Sequence, residues 1–268
     1  MSSAALIKDI QLGDGSRAQS GSCRSANASG HANDIFWQLP VEVPVAILVN
    51  GCSQAVMMAT PSDLEDMAIG FLLTEGYFPN SNAIHGATIK TTDHGMCVDV
   101  AADREAMRSR AARALEGRSG CGLCGVQKLT EVLQPLEHRL RPALDPAAVD
   151  RAFASLSQSL PLKAVNRSVH GAGFAANDGE LLMVREDVGR HNALDKLAGA
   201  LSRERIDPAS GFAVMTSRCS FELVQKSSMA GLSGLATISA PTTLAVDIAL
   251  DAGLPLAFQS RDGIVFLD

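Results

Sequence analysis

Aromatic residues are scarce in this chain: one Trp, one Tyr and nine Phe among 268 residues, 4% of the total. Any core it forms must be aliphatic and Ala-rich. Positive charge is short as well, with 23 Lys and Arg against 29 Asp and Glu and a net charge of −6. That balance argues against a nucleic-acid partner, which selects a basic surface; a local cluster of Arg and Lys still permits an anionic small ligand. No apolar run approaches the roughly 20 residues that cross a bilayer. Residues 244–258 are apolar but broken by Asp247, Asp251, Gly253 and Pro255. Residues 1–30 lack the continuous apolar stretch of a secretory signal. Cysteine pairs are missing too: of the six, at 23, 52, 97, 121, 124 and 219, only Cys121 and Cys124 lie close in sequence. This is no disulfide scaffold. The expectation is reduced thiols, a cytoplasmic location and no membrane insertion.

What is present is enough for one large or two modest domains, at 46% hydrophobic and 19% charged. Residues 13–34, rich in Ser, Gly, Ala and Asn, bury too little apolar surface to fix a conformation, so residues 1–34 are expected as a mobile tail. Residues 35–140 then read as an α+β domain. Its β-branched run at 41–49 is followed by Asn50-Gly51, a type I′ turn signal, and a return strand at 55–59. A helix begins after 60–63 and ends at Gly76, and strands over 84–101 flank a turn at 93–95. Helices are expected at 103–116 and from 126 to about 138. Pro142 and Pro146 punctuate a boundary near 138–146. Over 141–268 the elements alternate: helix 146–159, strands 169–175 and 181–185, helix 190–203, strand 211–215, helix 219–230, strand 235–239, helix 241–252 and a final hairpin. Alternation of this kind predicts a layered α/β domain.

Two thiols among three glycines, in Ser119-Gly-Cys-Gly-Leu-Cys-Gly125, carry the sharpest chemistry. Glycines leave sulfur uncovered, and a helix starting near Val126 would favour thiolate, the form that attacks S–S and S–SH bonds. A structural zinc site would need about four ligands, usually two such pairs. A thioredoxin-like site would follow a strand, whereas an Arg-rich helix is expected upstream. A zinc deaminase would need His-x-Glu and Pro-Cys-x-x-Cys; His170 is followed by Gly-Ala-Gly, and Gly120 precedes Cys121. Buried, inert cysteines fit poorly in so Gly-rich a run.

Three strand-to-helix turns carry the other polar cluster. In 184–196 (VREDVGRHNALDK), Gly189 permits close approach of a ligand, Arg190 and His191 suit phosphate, and Asn192 and Asp195 can read a base or ribose. In 216–226 (TSRCSFELVQK), Ser217 and Ser220 can cap a helix or bind phosphate. Residues 239–243 (SAPTT) form the third. Ligands of open α/β sheets sit beyond the carboxyl ends of strands, so these turns together predict one anion site. Cys219 reads as packing.

Together these segments resemble the FdhD family of formate dehydrogenase accessory sulfurtransferases. The matching stretches are 42–51, 57–76 (MMATPSDLEDMAIGFLLTEG), 121–125 (CGLCG), 184–197, 220–226 (SFELVQK) and 239–246 (SAPTTLAV). The resemblance implies a cytidine-deaminase-like three-layer domain without the zinc, a smaller N-terminal α+β domain and a homodimer. It implies that sulfur passes from a cysteine desulfurase onto Cys121 and Cys124. From there it goes to a molybdenum or tungsten cofactor of two pterin guanine dinucleotides, which serves formate dehydrogenase. No cofactor would be permanently bound, no metal would be held, and GDP would mimic the cofactor. The implied binding residues are His170, Arg190, His191, Asn192, Asp195, Lys196, Ser217, Arg218, Ser220, Lys226, Phe258, Gln259, Ser260 and Arg261. Cys121 is expected to carry the persulfide and Cys124 to resolve or relay it, the reverse staying open. A non-catalytic, cofactor-holding chaperone is the alternative. Two departures from the family pattern fall in this region: Asn166-Arg-Ser-Val before His170 in place of a Gly-Gly pair, and Thr216-Ser217-Arg218 in place of Ser-Gly-Arg.

Overall fold

The computed structural model describes residues 11–23, 33–108 and 135–267. Part of the expected tail is in fact ordered: β1 (Ser16–Cys23) and β2 (Asn33–Pro40) pair antiparallel, from Ser16 opposite Pro40 to Cys23 opposite Asn33. Composition does not reveal this ribbon because backbone pairing and anchorage at its base hold it. Gly13 N–H donates to Pro61 O at 2.6 Å, Val41 N–H to Gly15 O at 3.2 Å, and Asn166 Nδ2 to Ser16 Oγ at 2.9 Å.

Alternating apolar residues make β3 (Val43–Val49), buried at every second position. Asn50 and Gly51 take φ of 49° and 79°, as a two-residue type I′ turn demands, and β4 (Cys52–Ala59) returns antiparallel. After α1 (Leu64–Thr74), which ends at Gly76 with φ 70°, β5 (Ile84–Thr92) and β6 (Gly95–Ala102) complete a sheet of order β4-β3-β6-β5, with β3 and β6 parallel. Leu64, Met67, Ala68, Phe71 and Leu72 of α1 pack on it with Val43, Val45, Ile47, Val98 and Val100. The helix expected over 103–116 is, in its described part, a single 3-10 turn at Arg104–Ala106. Residues 135–145 are irregular; the end of another helix was expected over 135–138 and a boundary beyond it. Here Arg141 instead satisfies backbone carbonyls, donating from Nε to Leu232 O and from Nη1 to Ala252 O at 2.9 and 2.7 Å. The 119–125 loop, whose glycines were expected to leave its sulfurs uncovered, lies outside the described residues.

The second unit contains α2 (Pro146–Gln158), α3 (Pro161–Asn166), β7 (His170–Ala176), β8 (Leu181–Asp187), α4 (Arg190–Arg203), β9 (Gly211–Arg218), α5 (Phe221–Ala230), β10 (Leu235–Ser239), α6 (Thr243–Ala252), β11 (Leu256–Ser260) and β12 (Gly263–Leu267). Its six strands are ordered β12-β11-β10-β9-β7-β8. Strands β9, β10 and β11 are mutually parallel, and β7 is antiparallel to both of its neighbours. Alternate residues go to opposite faces. Ala213, Met215, Leu235 and Leu256 pack under α4, α5 and α6 with Leu194, Leu197, Leu223 and Ala249. Phe212, Val214, Ala236 and Ala257 pack under α2 with Val149, Phe153 and Leu156. The expected layered α/β domain is therefore present as helix, sheet and helix layers. Among the described residues, no helix is long and apolar enough to cross a membrane.

Candidate cofactor site

Strand direction decides which polar residues meet. Because β7 runs against β8 and β9, its first residue, His170, lies beside the last residue of β8, Asp187, in register. The ends of β9, β10 and β11 fall on the same edge, with Arg218 opposite Ser239. Strand β9 runs on to Arg218, so Thr216-Ser217-Arg218 is the strand end and not the turn, and Thr216 Oγ1 accepts from Gly171 N–H at 2.8 Å.

The first turn is held from beneath by Asp187, which is fully buried. Its Oδ1 accepts from Gly189 N–H at 2.8 Å and Asn192 Nδ2 at 2.9 Å. Its Oδ2 accepts from Thr60 N–H at 2.9 Å and pairs with Lys196 Nζ at 2.7 Å. Asn192 Nδ2 also donates to Met58 O at 2.8 Å, and Lys196 Nζ to Thr60 O and Glu186 O at 3.1 Å. The neighbouring Glu186 carboxylate receives Leu162 and Lys163 N–H, both at 2.8 Å, at the start of α3. Burial pushes Glu186 upward from its ordinary pKa, and those two donors partly offset the rise.

The second turn leads into α5, where Ser220 occupies the N-cap position without a side-chain capping bond. Glu222 Oε2 lies 3.5 Å from His191 Nε2, at ion-pair distance but outside hydrogen-bonding alignment. Burial raises the Glu222 carboxyl, but His191 and Ser220 beside it outweigh burial and hold it below its usual value. Cys219, 2% exposed, has its thiol pushed up to about 12 by burial, which leaves it protonated and inert at neutral pH.

One turn further along α5, Lys226 Nζ reaches Asp195 Oδ1 and Oδ2 at 2.8 and 2.9 Å, Glu75 Oε1 at 2.9 Å and Thr74 Oγ1 at 3.0 Å. Burial alone would lower this ammonium, but the Asp195 and Glu75 carboxylates outweigh it and hold it above its ordinary pKa. On the other side of the same interface, Asp66 accepts from Arg185 Nε at 2.8 Å and from Arg203 Nη1 at 2.6 Å.

The described residues singled out in the sequence therefore divide into three groups. Asn192, Asp195, Lys196 and Lys226 are buried and bonded into the joint between the two units. His170, Arg190, His191, Ser217, Arg218 and Ser220 share the open edge, with Ser217 buried and Arg218 exposed. Phe258, Gln259, Ser260 and Arg261 stand two strands away at the end of β11; Phe258 is half-buried and the other three are exposed. Cys121 and Cys124 lie outside the described residues. Thr216, Glu222, Glu186 and Lys163 were missed. Glu222 is brought to His191 and Lys163 to the edge by packing, which no local spacing signals.

Two buried polar atoms on the edge, His170 Nδ1 and Arg190 Nε, have no partner among the described residues, and two more, His191 Nε2 and Ser220 Oγ, lie beside the Glu222 carboxylate without an aligned hydrogen bond. Leaving such atoms unpaired costs about 1–3 kcal/mol each, so their convergence favours a ligand rich in acceptor oxygens. A separate cleft of about 900 Å³, lined by Ile69, Leu73, Ser202, Arg203 and Met229, lies elsewhere between the units and includes none of the four.

Comparison with known proteins finds several similar chains. A curated relative from Variovorax paradoxus (strain S110), named sulfur carrier protein FdhD, is 44% identical over 97% of this chain and 94% of its own length. A protein of the same name from Xanthomonas axonopodis pv. citri (strain 306) is 45% identical over 87% of this chain and 84% of its own. The crystal structure of a protein assigned as a formate dehydrogenase accessory protein from Desulfotalea psychrophila superposes with a TM-score of 0.73 at 24% identity, covering 95% of this chain and 97% of that one. The model of the FdhD/NarQ family matches residues 40–265, and the chain belongs to that family.

Proposed function

We propose that this protein is a sulfur carrier that accepts a sulfane sulfur on its Cys-x-x-Cys loop and delivers it to the molybdenum cofactor of formate dehydrogenase. The observation that carries the reading is the grouping at the strand-end edge of buried polar atoms that lack an aligned hydrogen bond among the described residues, in a chain whose relatives are named sulfur carriers. An anionic guanine dinucleotide end of the cofactor would supply the missing acceptors, with Arg190 and His191 on phosphate oxygens at the start of α4.

The sulfur chemistry balances on the two thiols. The Cys121 thiolate attacks the outer sulfur of a cysteine desulfurase persulfide; that S–S bond breaks and the desulfurase cysteine leaves as thiolate. Release as sulfide requires two electrons. Cys124 supplies them by attacking Cys121 Sγ, which expels sulfide to the cofactor and leaves a Cys121–Cys124 disulfide for a dithiol reductant to reopen. The cofactor and its metal are substrate here, not resident groups.

The test is mass spectrometry of the peptide containing residues 119–125 after incubation with a cysteine desulfurase and cysteine. One added sulfur is expected in the native chain and in Cys124→Ser, and none in Cys121→Ser. Formate dehydrogenase activity in a deletion strain should be lost with Cys121→Ser. Loading and activation that survive Cys121→Ser would reverse the assignment of the two thiols, and normal activation by both single variants would exclude a persulfide route.

A further inference from the structure

We propose that anion binding at the strand-end edge is coupled to proton uptake by His170, so that this imidazole becomes a charged donor when a phosphate-bearing ligand arrives. The inference rests on the reading of that edge as an anion site and adds how its affinity is controlled.

The geometry around His170 carries the argument. Its Nδ1 is buried and has no partner among the described residues. The groups facing it are Lys163 of α3, Arg190 and His191 of α4, and Asp187, its register partner on β8. Asp187 is the one carboxylate in that set, and its oxygens already receive Thr60, Gly189, Asn192 and Lys196. The adjacent Thr216 hydroxyl is engaged by Gly171 N–H. His170 thus faces fixed cations and a carboxylate already bonded to four other donors. Burial first, then Lys163, Arg190 and His191, hold its pKa below the ordinary histidine value, and Asp187 opposes this only in part.

A phosphate placed among Arg190, His191 and Ser220 reverses the local field. It brings further negative charge and free acceptor oxygens to a ring nitrogen with no hydrogen-bond partner among the described residues, which favours the imidazolium. The pKa in the complex then lies above that in the free protein. By linkage, the added affinity is complete below the free-state value and is lost as pH rises through the bound-state value. Between the two, affinity changes by up to about tenfold per pH unit for one proton.

The experiment follows the imidazole itself, because the terminal phosphate of GDP also titrates. The full chain, labelled at histidine, is titrated by NMR between about pH 5 and 9 with and without saturating GDP, and His170→Asn identifies the resonance among the six histidines. The expected result is an upward shift of the His170 midpoint by about one pH unit or more. Calorimetry should show GDP binding tightening as pH falls in the native chain, and part of that slope should vanish in His170→Asn. GDP binding with an unmoved His170 midpoint would overturn the coupling and leave the anion site standing. A shift confined to His191 would overturn it equally. Absence of GDP binding throughout the range would overturn the reading of the edge and the coupling with it. If His170→Asn does not fold, replacement of the other histidines assigns the native resonances and the native titration decides alone.

Discussion

Two arginines were expected to bind the same ligand, and their surroundings separate them. Arg218 is exposed at the end of β9, whereas Arg190 Nε is buried without a partner among the described residues. A charged hydrogen bond made in a desolvated place contributes more than one made in water. Arg190→Ala is therefore expected to weaken GDP binding by about 1.5–3 kcal/mol, roughly 10- to 150-fold, and Arg218→Ala by less; calorimetry checks the order. Equal losses would mean that Arg218 closes onto the ligand. The thiols differ on the same principle. Cys219 lies buried beside the site, while Cys52 is exposed on β4. Iodoacetamide applied to the folded chain should alkylate Cys52 and spare Cys219, and Cys219→Ala should leave sulfur loading unchanged. The reading of Cys219 as packing was available from its sequence context, but its protonation state depends on a burial that no local spacing encodes.

Between elements, the decisive contact is the crossing of α1 and α4. A Cβ on Gly70 would strike the Asp195 carbonyl, and one on Gly199 would strike the Asp66 carbonyl. Backbone cannot yield as a side-chain end can. Alanine is intrinsically better than glycine in a helix by about 1 kcal/mol, yet Gly70→Ala should destabilise, by about 1–3 kcal/mol of overpacking, read as a lowered midpoint in urea unfolding. The polar contacts across the joint make a second prediction. Lys226→Met leaves Asp195 and Glu75 without their shared ammonium and should cost about 3–5 kcal/mol. Adding Asp195→Asn should recover part of that loss, because a neutral amide is cheaper to bury than an unpaired carboxylate. Full stability in Lys226→Met would mean that the pair is dispensable. Helix 190–203 and the strands of the second unit were legible from hydrophobic periodicity. The interlocking of 57–76 with 185–203 was not, because nothing local in Asp66, Arg185 and Arg203 signals that they meet across the two units.

At the scale of the whole molecule, the family-typical segments serve two ends of one design. The 57–76 and 184–197 stretches supply the buried joint through Thr60, Asp66, Thr74, Asp187 and Asp195, and α4 and α5 carry that joint directly to Arg190, His191 and Glu222 at the edge. The sequence by itself determined the hairpin at Asn50-Gly51, the alternating β and α elements after 146, the thiol pair and the family, because turn chemistry, periodicity and motif spacing are local. It also marked the three strand-to-helix turns as polar. Only the tertiary structure decided which of their residues stay at the strand-end edge and which go into the interior. Strand order and the reversed direction of β7 bring His170 to Asp187 and Arg190, while the crossing of α1 over α4 takes Asn192, Asp195, Lys196 and Lys226 into the interior. The ribbon β1–β2 was hidden for the same reason: its order comes from pairing and from anchorage at Pro61 and Asn166, contacts separated by tens of residues that composition does not carry.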